Sequence, residues 1–180
     1  MRIVSGTHKG RRITPDKSFK ARPTTDFAKE NLFNVLNNIV DFENLSVLDL
    51  FGGTGGISYE FASRGAEKVI CVELNHRHFS FIQKTVNELQ FDQILPIKSD
   101  VFKFLKACHQ KFDMIFADPP YDLKKIESIP DLIFEKEILQ EDGLLIVEHS
   151  SKNDFSKHPF FSEKRTYGSV NFSFFKLTKE

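Results

Sequence analysis

Ser46-Val47-Leu48-Asp49-Leu50-Phe51, followed by Gly52-Gly53-Thr54-Gly55-Gly56, decides the fold. The first six residues are apolar except at Ser46 and Asp49, a run too short for a helix and suited to a buried strand. The glycines then turn the chain into a helix predicted to begin near Ile57 and to end at Arg64-Gly65-Ala66. Strand, glycine turn and helix make the opening unit of a parallel sheet with helices on its faces. The alternation continues. Strand 68–72 closes on Glu73, a helix covers 76–89, strand 94–98 closes on Asp100, and a further helix covers 101–108. Strand 112–117 ends at Asp118-Pro119-Pro120-Tyr121, helical patterns occupy 126–139, and Gly143 precedes strand 144–147. Upstream, Thr25 or Asp26 caps a helix over 26–40 that carries Ala28, Leu32, Val35 and Ile39 at helical spacing. Residues 163–167, Gly168-Ser169 and 170–177 form a hairpin instead. The expected fold is therefore α/β, a doubly wound and mostly parallel seven-stranded sheet ending in an antiparallel hairpin.

In such sheets ligands bind beyond the carboxyl ends of the strands, where strand order reverses. Asp49, the glycine loop, Glu73, Asp100 and Asp118 all fall at predicted carboxyl ends, so one fold places them around one crevice. An acid about 20 residues beyond a glycine loop commonly grips a ribose hydroxyl pair. Glu73 follows Gly52 by 21. A dinucleotide enzyme is the rival reading. Taking Gly53-Thr54-Gly55 as the start of its G-x-G-x-x-G fingerprint puts Ser58 at the last glycine, a position where Ala is also allowed. Asp49 weighs more heavily against it, because a carboxylate there suits an amino-acid ammonium group and not a pyrophosphate. S-adenosylmethionine presents an ammonium, a ribose diol and an adenine amine, and Asp49, Glu73 and Asp100 supply acids to match. Each acid alone has a structural reading: Asp49 as a cap of the next turn, Glu73 as a solvated loop residue, Asp100 as N-cap of the helix starting at Val101. Three at successive strand ends, beside a glycine loop, favour the cofactor.

Pro119 and Pro120 lack N–H groups and have fixed φ, so neither a central strand nor a helix interior continues through them. The loop leaves the sheet rigidly, carrying one carboxylate and one aromatic ring. Such a pair suits a flat polar ring such as a nucleobase. The plainer alternative is a strand-ending turn with a capping Asp118 and a half-buried Tyr121.

At 180 residues, with 20 Phe and no Trp, the chain fits one domain with a phenyl-rich core. Cys71 and Cys108 sit in apolar runs as small hydrophobes, and His76 and His78 lie two apart on different sides of a helix, so no metal is expected. Residues 1–5 carry no apolar stretch of signal-peptide length, and no run approaches the ~20 residues of a membrane span; a cytoplasmic protein is expected. The net charge is zero, but unevenly spread. Residues 1–24 hold seven cations and one acid, a net of +6, leaving −6 on the remainder. A basic arm on an acidic body is the asymmetry of a phosphate-contacting segment, and Ile3-Val4 with Gly6 and Gly10 suggest that it forms a short hairpin rather than a solvated tail. Two parts are expected: the arm, 1–24, and the main domain, 25–180.

Met1-Arg2-Ile3-Val4-Ser5-Gly6 with Lys9-Gly10-Arg11-Arg12, Arg22-Pro23-Thr24-Thr25-Asp26, Leu32-Phe33-Asn34, Asp49-Leu50-Phe51-Gly52-Gly53-Thr54-Gly55 and Asp118-Pro119-Pro120-Tyr121 together resemble the bacterial 16S ribosomal RNA guanine-N2 methyltransferases of the RsmD type. The similarity spans nearly the whole chain; Gly53 stands where that family more often has Ala. The resemblance implies the class I methyltransferase fold, S-adenosylmethionine as cofactor, and a catalytic loop of Asp118, Pro119, Pro120 and Tyr121. Around the cofactor it implies Thr24, Asp49, Phe51, Gly52, Gly53, Thr54, Gly55, Glu73, Leu74, Asp100 and Val101. For the RNA it implies Arg2, Lys9, Arg11, Arg12 and Arg22, with 16S rRNA in a small-subunit particle as partner and a monomeric enzyme. The glycine loop and the Asp-Pro-Pro-Tyr motif also resemble DNA adenine-N6 methyltransferases, but those need a target-recognition domain for which this chain has no room. A non-catalytic RNA-binding assembly module is the third reading, and it has no use for an acceptor aimed at an amine.

Overall fold

The computed structural model describes residues 1–15, 19, 25–120 and 122–177. Its elements, in chain order, are α1 (Asp26–Leu36), β1 (Ser46–Leu50), α2 (Gly56–Ser63), β2 (Lys68–Glu73), α3 (His76–Leu89), β3 (Ile94–Lys98), α4 (Val101–Ala107), β4 (Phe112–Ala117), α5 (Ser128–Glu135), β5 (Leu139–His149), β6 (Phe161–Tyr167) and β7 (Val170–Lys176). Seven strands form one sheet in the order β3-β2-β1-β4-β5-β7-β6, parallel from β3 through β5 and antiparallel at β7 and β6. The order reverses between β1 and β4, so chain connections diverge there and leave a crevice above their carboxyl ends.

The alternation of side chains along each strand splits the core in two. Val47, Cys71, Met114, Phe116 and Ile146 face α1, α2 and α3, packing on Leu32, Phe33, Tyr59, Phe61 and Ile82. Leu48, Leu50, Val72, Ile115, Leu145 and Val147 face α4 and α5, packing on Leu105, Ile129 and Ile133. The central strands are buried on both sides, which is why they are nearly continuous in apolar residues.

The predicted elements and the observed ones differ at their ends. α1 stops at Leu36, and Ile39, read as part of its apolar stripe, is exposed. Asn37 and Asn38 intervene, residues whose side chains compete for backbone hydrogen bonds, and Asn38 Nδ2 donates to the Asn34 carbonyl. α5 is shorter than its pattern, since Glu137 adopts a positive φ of 51° and β5 already begins at Leu139. β5 runs through Gly143, with a register shift opposite β4 between Phe112 and Met114.

Residues 1–15 of the basic arm are folded onto the body. Arg2 and Arg12 form an antiparallel bridge, the Ile3 N–H donates to the Arg11 carbonyl, and the Gly10 N–H donates back to Ile3. Ile3 and Ile13 belong to the same apolar cluster as α1 and α2. Gly6, at φ 80°, lies so close to Ser63 that a Cβ would collide with the Ser63 carbonyl.

Candidate active site

The site is built from the carboxyl end of β1 outward. Phe51 takes a positive φ of 66° and Gly55 one of 82°, and Gly55 caps α2 without any side-chain hydrogen bond. A Cβ on Gly55 would strike the Tyr59 ring, so this position requires glycine for both backbone and space. The Gly52 N–H donates to Val72 at the end of β2, tying the loop to the sheet.

Glu73, at the end of β2, holds the loop from the other side. One carboxylate oxygen accepts the Gly53 N–H at 2.7 Å and the other accepts the Asn75 N–H at 2.6 Å, with His78 Nδ1 3.8 Å away. A carboxylate with two oxygens has lone pairs left over after these two bonds, so it is both scaffold and available acceptor. Asp49 is buried beneath the loop, where its Oδ2 accepts the Ser58 hydroxyl at 2.6 Å and lies 3.9 Å from Cys71 Sγ. Burial pushes its carboxyl up to about 7, against the opposing effect of the Ser58 hydrogen bond. Asp100 caps α4, accepting the Lys103 N–H at 2.9 Å. At β4 the Asp118 N–H donates to Leu50 at 3.5 Å, and beyond the prolines the Leu123 N–H closes onto the Pro120 carbonyl at 2.9 Å. The Asp-Pro-Pro segment is thus pinned at both ends.

Asp49, Phe51, Gly52, Gly53, Thr54, Glu73, Leu74, Asp100, Val101, Asp118, Pro119 and Pro120 all line one cleft of about 630 Å³. Gly55 stands behind that wall as the cap of α2. Thr24, Arg22 and Tyr121 lie outside the described residues. Lys9, Arg11 and Arg12 are exposed on the arm, whereas Arg2 is paired with Glu30. Among the described residues no group of His, Cys, Asp or Glu has the geometry to hold a metal ion, and no helix is long and apolar enough to cross a membrane.

Three acidic or basic side chains were not singled out in the sequence. Glu60, wholly buried on α2, accepts the Val4 N–H at 2.8 Å, the Ser5 N–H at 3.0 Å and Arg64 Nε at 2.9 Å, and pairs with Lys29 at 3.4 Å. Lys29 reaches on to the Arg2 carbonyl and lines the cleft. Glu148, the penultimate residue of β5, also lines the cleft. An acid closing an apolar strand is the signal that pointed to Glu73 and Asp118, and it applies equally to Glu148. Glu60 gave none, since nothing in Tyr59-Glu60-Phe61 tells a buried acid from an exposed one.

The family model described as "Conserved hypothetical protein 95" matches residues 1–176. The chain belongs to that family. Its curated relatives include YlbH of Bacillus subtilis, 31% identical with 98% of both chains covered, and the Ribosomal RNA small subunit methyltransferase D of Haemophilus influenzae, 32% identical over 82% of this chain and 78% of the relative. The crystal structure of HI0767 from Haemophilus influenzae superposes with a TM-score of 0.80 at 27% identity, covering 99% of this chain and 98% of that one. The match of the family model runs from the basic arm through β7.

Proposed function

We propose that this protein transfers a methyl group from S-adenosylmethionine to the exocyclic N2 amine of a guanine in 16S rRNA. The observation that carries the reading is that the Asp118-Pro119-Pro120 rim and the glycine loop with Glu73 line the same cleft. The names of the relatives in the small-subunit rRNA methyltransferase D group support the substrate class.

The donor set fits the cofactor. Glu73 would hold the ribose hydroxyls, Asp100 and the N-terminal turn of α4 the adenine, and Asp49 the ammonium group. S-adenosylmethionine, when bound, supplies an electrophilic methyl on its sulfonium. The chain must then solve the other half of the problem. A guanine amine is a poor nucleophile because its lone pair is delocalised into the ring. The Asp118 carboxylate and the Pro119 carbonyl accept its two hydrogens, hold it pyramidal and aim the lone pair at the methyl. Positioning of this kind supplies on the order of 7–11 kcal/mol of a barrier. The same carboxylate stabilises positive charge growing on nitrogen, with no reorganisation at the moment of reaction. Tyr121 is assigned to stacking on the base, which leaves its neighbours more cheaply from an RNA loop than from a duplex. The exposed Lys9, Arg11 and Arg12 are assigned to phosphates, with the enzyme acting as a monomer on a small-subunit particle.

Mass mapping of modified guanosines in 16S rRNA from cells with and without the protein tests this directly. One N2-methylguanosine should disappear in its absence. An unchanged set of guanosines, or loss of a methyladenosine instead, contradicts it.

A further inference from the structure

Resting on the guanine-N2 reading, we propose that Glu148 is the specificity-determining residue of the acceptor site, accepting the guanine N1–H beside Asp118 and so excluding bases whose N1 is an acceptor. The argument begins with register. β4 and β5 are parallel and paired from Met114 with Leu144 to Ala117 with Val147, where β4 ends, and Asp118 and Glu148 are the residues that follow this last pair. Neighbouring strands stand about 4.8 Å apart. Alternation then fixes the face. Leu144 and Ile146 belong to the cluster under α1–α3, Leu145 and Val147 to the opposite one, so Glu148 shares the α1 side with Asp49 and Phe116.

Glu148 is 2% exposed, yet it lines the cleft with Phe116, Asp118, Pro119 and Lys29. Its two carboxylate oxygens have room for more than one donor. Its place in the sheet separates it from the cofactor acids. Glu73 ends β2 and Asp49 lies in β1, on one side of Asp118, whereas Glu148 lies near the carboxyl end of β5 on the other. That is the acceptor side. With the two N2 hydrogens on Asp118 and Pro119, the remaining donor on the same edge of guanine is N1–H, which an ionised carboxylate accepts. Adenine and 2-aminopurine offer a lone pair at N1, which faces the carboxylate with like charge.

The test uses a 16S fragment carrying guanosine, 2-aminopurine or 1-methylguanosine at the modified position. The wild-type protein should prefer guanosine over 2-aminopurine by about 10- to 100-fold in kcat/KM, the discrimination of one well-made base contact. It should likewise reject 1-methylguanosine, whose N1 carries no hydrogen. Glu148→Gln, whose carboxamide can donate to N1, should shrink the guanosine preference at least ~10-fold while S-adenosylmethionine affinity stays unchanged. Glu148→Asp should keep the preference at reduced kcat. Equal loss on guanosine and 2-aminopurine in Glu148→Gln overturns the assignment and leaves Glu148 a structural residue. Wild-type turnover of 1-methylguanosine at the guanosine rate overturns it without recourse to any variant. Absence of N2-methylation on guanosine by the wild-type protein removes the underlying reading as well, an outcome distinct from either.

Discussion

Glu60 of α2 accepts the backbone N–H of Val4 at 2.8 Å, across 56 positions of sequence, and fastens the basic arm to the helix that follows the glycine loop. Both its oxygens are engaged, by Val4 and Lys29 on one and by Ser5 and Arg64 on the other. The arm is therefore positioned by the same helix whose N-terminus walls the cleft. Met1 extends the connection, its Sδ accepting the Thr54 hydroxyl at 3.3 Å.

Removing this carboxylate leaves Lys29 buried with no anion and two arm N–H groups without an acceptor. Glu60→Ala should destabilise the fold by roughly 3–5 kcal/mol, the range for breaking a buried pair from one side. Urea unfolding monitored by circular dichroism measures it. A loss below about 1 kcal/mol, the ceiling for an exposed pair, means the clasp is not closed in solution.

Asp49 makes a pH-dependent forecast. Its folded-state value, about 7, lies above the ordinary carboxyl value, so the ligand-free protein holds this proton until the pH rises through 7. The sign follows: the group favours the folded state below that range, and its contribution is lost as pH rises from about 4 to about 7. A cationic ammonium beside it pulls the value down. Binding of S-adenosylmethionine at pH 6 should then release close to one proton, read by calorimetry in buffers of different ionisation enthalpy, and Asp49→Asn should abolish the release. Zero release by the wild-type protein would falsify the pairing of Asp49 with the ammonium.

Lys9, Arg11 and Arg12 are exposed on an arm whose backbone is fixed, so charge and position can be separated. Log affinity for single-stranded RNA falls with log salt by about 0.7 for each phosphate neutralised. Replacing Arg11 and Arg12 together with Gln should flatten that slope by roughly 1–2 units and leave cofactor affinity alone. If the slope of the double variant matches that of the wild type, the RNA lies elsewhere.

β4 and α3 have the bounds read from their periodicity, because burial on both faces and a long amphipathic stripe each leave a clear pattern. The edge strand β3 has the bounds read for it as well, although only Ile94 of it is buried. α1 was read four residues too long, since Ile39 continues its spacing beyond a pair of asparagines that end it. Of the cleft, the acids at strand ends could be found because a parallel sheet puts every such end on one side. What could not be read is which partners each acid keeps. Glu73 looked like a ligand or a solvated residue, and it is first a brace for Gly53 and Asn75. The burial of Glu60 was invisible: its i,i+4 partner Arg64 suits an exposed helix face as well, and the donors that enclose it include backbone groups 55 and 56 positions away.

Asp118 is assigned to the base amine and not to the cofactor, which separates chemistry from binding. Asp118→Ala should lower kcat by at least ~100-fold with S-adenosylmethionine affinity nearly unchanged. Single-turnover kinetics and calorimetry on the same preparation give both numbers. Parallel losses in the two would return Asp118 to a structural role.

The central claim is that this cleft methylates a guanine amine, and the product identifies it. Purified protein, S-adenosylmethionine carrying a labelled methyl group and small subunits lacking the modification should yield labelled N2-methylguanosine on digestion and nucleoside mass spectrometry, confined to 16S rRNA. Label recovered as N6-methyladenosine, or no label in nucleosides while the cofactor binds, contradicts the account.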